Sequence, residues 1–269
     1  MLRKGDLTQG GITGTLLHFT LPMMVGSFLQ QCYNIADTLI VGQCIGAGAL
    51  AAVGSAYTLM VFLISVLLGL AMGSGTVFSL HYGAGNHVAL RRSIFSSFVL
   101  IGIVTLILNV AVFIWLDPIL RLLQVPQDIY GMMRSYLWII FCGIVFTFIY
   151  NFYASLLRAV GDSVTPLWFL AVSVVLNIAL DLFFILQLDW GIQGAAAATV
   201  LAQGVAALGI IIYTYRRRPE LRWHHEDMCF DRTCLKEIAS FSTLTCIQQS
   251  VMNLGILMIQ GLVNSFGTA

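Results

Sequence analysis

The sequence predicts an all-α polytopic membrane protein, and three observations carry that expectation. Of 269 residues, 59% are hydrophobic and only 9% charged, with a mean hydropathy of +0.91, far outside the range of a water-soluble domain. No Asp, Glu, Lys or Arg occurs between Asp37 and Arg91, and further charge-free tracts run over 93–116, 135–157, 190–215 and 238–269. Each tract reaches the roughly 20 residues that a helix needs to cross a hydrocarbon core. The tracts are apolar on nearly every side, whereas strands of a transmembrane barrel alternate apolar and polar residues, so helices are the expected element.

Seven spans follow in order. The first, 14–41, is too long for a cleaved leader, and Met1–Leu7 carries an acid as well as bases, so this helix is read as part of the mature chain. Pro22 lies inside it and leaves the carbonyl of His18 without its usual donor, which predicts a kink and a candidate hinge. The second span, 51–80, contains "GLAMGSG" at 69–75; no strand precedes it, so its glycines are read as a helix-packing face and not as a phosphate loop. A tight turn at "GAGN", 83–86, leads to the third span, 93–117. The fourth, 132–157, carries Tyr150 and Asn151, which either line a cavity or make interhelical packing contacts. The fifth, 165–187, carries Asn177 and Asp181, the sixth, 192–215, carries Thr199, and the seventh covers 236–262.

Placing the N-terminus in the cytoplasm puts Arg3, Lys4, Arg91, Arg92, Arg158, Arg216, Arg217, Arg218, Arg222, Arg232 and Lys236 on the inner side. Only Arg121 and Arg134 then lie outside, the asymmetry of the positive-inside rule. The run "RRRPELRW" at 216–223 therefore reads as an inner-face connector and not as a nucleic-acid patch. It opens a polar stretch that divides the chain into a six-helix lobe (1–218), a cytoplasmic connector (219–235) and the first helix of a second, truncated lobe (236–269). A shift of 219 positions aligns Gln30 with Gln249, Asn34 with Asn253 and Gly42 with Gly261. Six helices per repeat is a transporter plan, so the chain is expected to be incomplete at its C-terminus.

The cysteines number six. Cys32, Cys44, Cys142 and Cys246 lie in or beside spans, and Cys229 and Cys234 fall in the connector, where thiols stay reduced. With His224 and His225 nearby the spacing is not that of a usual zinc site, and no metal centre is expected there. No Ser–His–Asp or Cys–His constellation shares a depth, so no enzyme and no organic cofactor are expected.

Asp37 and Asp181 are the acids that lie well inside spans. A charge at mid-membrane costs about 2.5–3.5 kcal/mol even on the lenient insertion scale, so both should face protein or a water-filled cavity. At about 1.5 Å per residue, Asp37, Asp181 and Thr199 all sit at a similar depth, roughly 10 Å below the outer surface. Asn177 shares the helix face of Asp181, and Tyr33 and Asn34 share that of Asp37. Two carboxylates, an amide and a hydroxyl suit a hard cation such as Na⁺; alternatively the acid pair holds a proton.

The segments "LPMMVGSFLQQCYNIADTLIVGQCIGAGALAAVG" (21–54), "GAGN" (83–86), "LRAVGDSVTP" (157–166) and "LNIALD" (176–181) together resemble the multidrug and toxic compound extrusion (MATE) family. The resemblance implies a twelve-helix antiporter of two six-helix lobes, exporting cationic or amphipathic organic compounds in exchange for Na⁺ or H⁺. It also implies that Asp37, Asn177, Asp181 and Thr199 form the first-lobe cation site and that the Pro22 kink is a hinge, while Tyr33, Asn34 and Asn151 are read from their places on the helices as supporting or cavity-lining residues. A multi-pass protein of the cell membrane is expected, with lipid and small organic substrates as its partners. One alternative is a lipid-linked oligosaccharide flippase, disfavoured because Arg134 alone is a marginal intramembrane base. The other is a seven-helix receptor, which would end where this chain ends.

Overall fold

The computed structural model describes residues 12–122, 125–222 and 232–265. Among these the elements are helical: α1 (Ile12–Cys44), α2 (Ala47–Gly83), α3 (His87–Leu122), α4 (Gln127–Cys142), α5 (Ile144–Ala159), α6 (Val164–Leu182), α7 (Gly191–Arg217) and α8 (Arg232–Ser265). A π turn, Phe183–Gln187, extends α6, and a 3₁₀ turn, Pro219–Leu221, follows α7. The protein is a polytopic all-α membrane protein. Helices α2, α3, α7 and α6 with its π turn are each long and apolar enough to cross a bilayer, and the pair α4–α5 supplies another such length. Helices α1 and α8 have the length, 33 and 34 residues.

One expected element is corrected. The fourth span, read as a single helix over 132–157, is two helices that meet at Gly143 with a bend of 47°. The chain bends where Val200 of α7 fills the space that a side chain at position 143 would take.

The turns are written in local chemistry. In "GAGN", Gly85 adopts φ +68°, and Asn86 accepts a hydrogen bond from the Ala89 amide at 3.0 Å, capping the start of α3. Asp162 does the same for α6, accepting from the Thr165 amide at 3.0 Å and from its hydroxyl at 2.9 Å. The same carboxylate pairs with Arg218 at 3.3 Å, which ties the end of α7 to the start of α6.

The core forms because α7 is lined with small residues. Ala195, Ala196, Ala198, Ala202, Gly204, Ala206 and Ala207 are buried on it and let α4, α5 and α6 pack closely around it. Phe78, Phe98, Phe148 and Phe152 join α2, α3 and α5 through edge-on and tilted ring contacts with centroids 5.3–6.0 Å apart.

Helix α8 lies along α2. An ideal Cβ on Gly69 would be 2.6 Å from Cys246 Sγ and 2.8 Å from its Cα, and one on Gly73 would overlap the backbone of Ser242. The closeness lets Ser242 Oγ donate to the Leu70 carbonyl at 3.3 Å and Cys246 Sγ to that of Val66 at 3.5 Å. "GLAMGSG" is therefore a helix-packing face. We expect Gly73→Val to destabilise the purified protein by about 1–3 kcal/mol, the usual cost of overpacking. Gly75→Ala, whose Cβ would meet Ser155 at an ordinary 3.5 Å, should change the midpoint of thermal unfolding little.

Candidate functional site

Four helices bring polar side chains to one place. Tyr33 and Asp37 are one turn apart on α1, Asn177 and Asp181 one turn apart on α6, Thr199 stands on α7, and Tyr136 comes from α4. Helix α1 approaches α6 where Gly26 leaves room for Leu167 and Leu170. Asn177 and Asp181 are fully buried, and Thr199 and Tyr136 nearly so.

A hydrogen-bond relay links them. The Tyr33 hydroxyl donates to Thr199 Oγ1 at 3.3 Å. With its amide nitrogen facing the carboxylate, Asn177 donates to Asp181 Oδ2 at 2.9 Å and accepts from Thr199 Oγ1 at 3.3 Å. The carboxyl groups of Asp37 and Asp181 lie within hydrogen-bonding reach of each other across the α1–α6 contact. Each keeps one oxygen, Oδ1, buried and without a hydrogen bond. Neither acid belongs to an ion pair found among the described residues.

Two ionised carboxylates this close, in a low-dielectric interior, repel strongly. A proton or one small cation between them removes that repulsion and gives the unpaired oxygens a partner. The donor set of carboxylate, amide carbonyl and hydroxyl oxygens is that of a hard-cation site. No cluster of three or more His, Cys, Asp or Glu occurs among the described residues.

Asp37, Asn177, Asp181, Thr199 and Tyr33 thus come together. Asn34 does not join them, because its amide donates to Gln31 Oε1 at 3.1 Å along α1 itself. Asn151 donates to the Thr147 carbonyl one turn back on α5, at 2.8 Å, and Tyr150 donates to the Pro166 carbonyl at 3.0 Å, a tie between α5 and α6. Pro22 sits within α1, which is assigned as one helix through it. His224, His225 and Cys229 lie outside the described residues, while Cys234 accepts a hydrogen bond from Ser93 of α3 at 3.6 Å.

Three residues go beyond the sequence reading. Tyr136 is buried within electrostatic reach of Asp37, Asp181 and Tyr33. Thr147 of α5 donates to Gln203 Oε1 of α7, one turn beyond Thr199. Thr147, Thr199 and Gln203 line a small cavity whose other walls are Met60, Ile64, Ile140, Phe141, Ile144 and Val200. The sequence signal for Tyr136 was slight: a phenol on an otherwise apolar helix face needs a polar partner once buried.

Comparison with known proteins gives a consistent picture. The MatE family model matches residues 22–183. The probable multidrug resistance protein YpnP of Bacillus subtilis is 33% identical over 99% of this chain. The multidrug export protein MepA of Staphylococcus saprophyticus is 31% identical over 75% of it. A solved outward-facing conformation of a multidrug resistance MATE family transporter of the MOP superfamily superposes on 99% of the chain with a TM-score of 0.90 at 24% identity. The chain spans 59% of the length of YpnP and 59% of that solved structure.

Thr199 is the junction of the relay, so Thr199→Val should strand the Tyr33 hydroxyl and leave the Asn177 carbonyl with only the backbone amide of residue 199, at 3.2 Å. The expected cost is about 1–3 kcal/mol of folding stability, against about 1 kcal/mol for Tyr33→Phe, which removes one hydrogen bond and leaves the rest of the relay satisfied. Thermal unfolding of the two variants in detergent, side by side, checks the order.

Proposed function

The chain belongs to the MatE family of transporters, and from that membership and the acid cluster between α1 and α6 we propose that it acts in secondary antiport. In this reading it exports cationic or amphipathic organic compounds in exchange for Na⁺ or H⁺. The single observation that carries the reading is the Asp37–Asp181 pair, a half-buried acid against a fully buried one at hydrogen-bonding reach, with one buried, unsatisfied oxygen on each. The named multidrug resistance and export relatives support the substrate class.

The mechanism follows from electrostatics. A cation entering from the outer side neutralises the pair and draws α1 toward α6, through Asp37 on the one and Asp181 and Asn177 on the other. Loss of the cation on the inner side restores the repulsion and loosens that contact. Since Tyr33 is linked through Thr199 to Asn177 and Asp181, a change at the acids reaches three helices at once. Moving one elementary charge inward contributes about 2.3 kcal/mol per 100 mV, enough to drive export against a substantial gradient.

Several finer points belong to the same proposal. The six spans from α1 to α7 form one lobe, counting α4–α5 as one span, and α8 opens a second. The N-terminus is cytoplasmic, because the bases then gather on the inner side, and the protein resides in the cell membrane, as suits its bacterial relatives. Arg134, the base nearest to an intramembrane position, is held by Asp117 at 2.7 Å, which leaves it poorly placed to serve a phosphate-bearing lipid substrate.

Drug efflux from vesicles with separately imposed sodium and proton gradients tests the reading. Asp37→Asn and Asp181→Asn should each abolish gradient-driven efflux while the protein still inserts and folds. Full coupled transport by both variants contradicts the coupling role of the pair. The gradient that drives the wild type identifies the ion.

A further inference from the structure

The bend at Gly143 lies between the two polar parts of the site. Helix α4 carries the buried Tyr136 on the side of the acid pair, α5 carries Thr147 to Gln203, and both pack on α7. Gly143 is buried, and an ideal Cβ there would lie 2.5 and 2.7 Å from the two Cγ atoms of Val200 and 3.0 Å from its Cβ. A valine in a helix strongly prefers one χ1 rotamer, so Val200 has no easy way to swing aside. Val200 directly follows Thr199 in α7.

On the other side, Asn109 of α3 donates to the carbonyl of Phe141 at 2.7 Å. That carbonyl belongs to the last turn of α4 and also accepts a backbone N–H of the helix cap, so Asn109 fills its second lone pair. The Gly143 amide donates to Ile140 O and the Gly143 carbonyl accepts from Phe146 N, both at 2.9 Å. A break inside hydrocarbon persists only with its backbone groups satisfied in this way. An amide on the apolar third span has its use here.

We propose that Gly143, seated against Val200 and braced by Asn109, is a positioning residue: its missing side chain sets how closely α4–α5 approaches α7 beside Thr199, and through Thr199 the affinity of the acid cluster for its cation. The inference rests on the antiport reading above. An added methyl at position 143 forces α4–α5 and α7 apart and shifts Thr199, the junction of the relay, relative to Tyr33 and Asn177. A role confined to stability would lower the unfolding midpoint and leave the cation dependence alone.

The test uses the intact protein, reconstituted in vesicles and purified in detergent. Two quantities are read: the Na⁺ or H⁺ concentration giving half-maximal efflux, and the cation-dependent rise in unfolding temperature, which reports binding without transport. For Gly143→Ala the half-maximal cation concentration should rise about tenfold, the size of a coupling between residues in contact, with the KM for the drug unchanged and the thermal response weakened. The double variant Gly143→Ala/Val200→Ala, which removes two methyls where one was added, should return both quantities toward wild type. Asn109→Leu leaves the glycine–valine contact intact and should shift the cation dependence in the same direction, which keeps the test open if Gly143→Ala fails to accumulate. Unchanged cation dependence in Gly143→Ala or Asn109→Leu, or a double variant as impaired as the single one, overturns the inference. A wild type indifferent to both cations overturns the antiport reading and this inference together, whereas a responsive wild type beside an unaltered Gly143→Ala overturns this inference alone.

Discussion

Two carboxyl groups from different helices, held against each other inside an apolar bundle, are the constraint on which the rest of the structure depends. Neither Asp37 nor Asp181 has a basic partner among the described ion pairs, and each leaves a buried oxygen unsatisfied. An arrangement of this kind costs free energy unless something positive is shared between the acids. The same repulsion that makes the pair expensive makes the α1–α6 contact responsive to occupancy. Because Asn177 and Thr199 carry hydrogen bonds onward to Tyr33, the response is distributed over three helices and not confined to one carboxylate.

The surrounding helices hold that cluster by close approach more than by polar bonding. In lipid there is no hydrophobic force between helices, so packing and interhelical hydrogen bonds set the geometry. Small residues on α7 admit α4, α5 and α6; Gly143 admits Val200; Gly69 and Gly73 admit Ser242 and Cys246 of α8. The polar ties are few and placed at helix ends, as with Asn109 at the end of α4 and Asp162 at the start of α6.

The acid cluster was largely legible in the sequence because helical arithmetic fixes depth and face. Asp37, Asp181 and Thr199 share a level, and Tyr33 and Asn177 sit one turn from the acids. The same arithmetic put Asn34 on the face of Asp37, but it cannot tell which of two nearby acceptors an amide will choose, and Gln31 on the same helix is closer to hand. Tyr136 escaped because its neighbours Leu137, Trp138, Ile139 and Ile140 are apolar and give no periodic sign of a polar face. The bend at Gly143 escaped for a different reason. "FCGIVF" reads as continuous apolar helix, and the need for glycine arises from Val200, far along the chain.

The account stands on one shared positive charge between Asp37 and Asp181, and infrared difference spectroscopy of the purified protein reads that charge directly. On lowering pH, or on withdrawing Na⁺ at a fixed mildly acidic pH where Na⁺ is the coupling ion, the account predicts a protonated carboxyl band that grows in the wild type and is altered by removing either acid alone, since the two act as one titrating unit. A spectrum in which neither acid responds to pH or cation, or in which each responds without regard to the other, contradicts it.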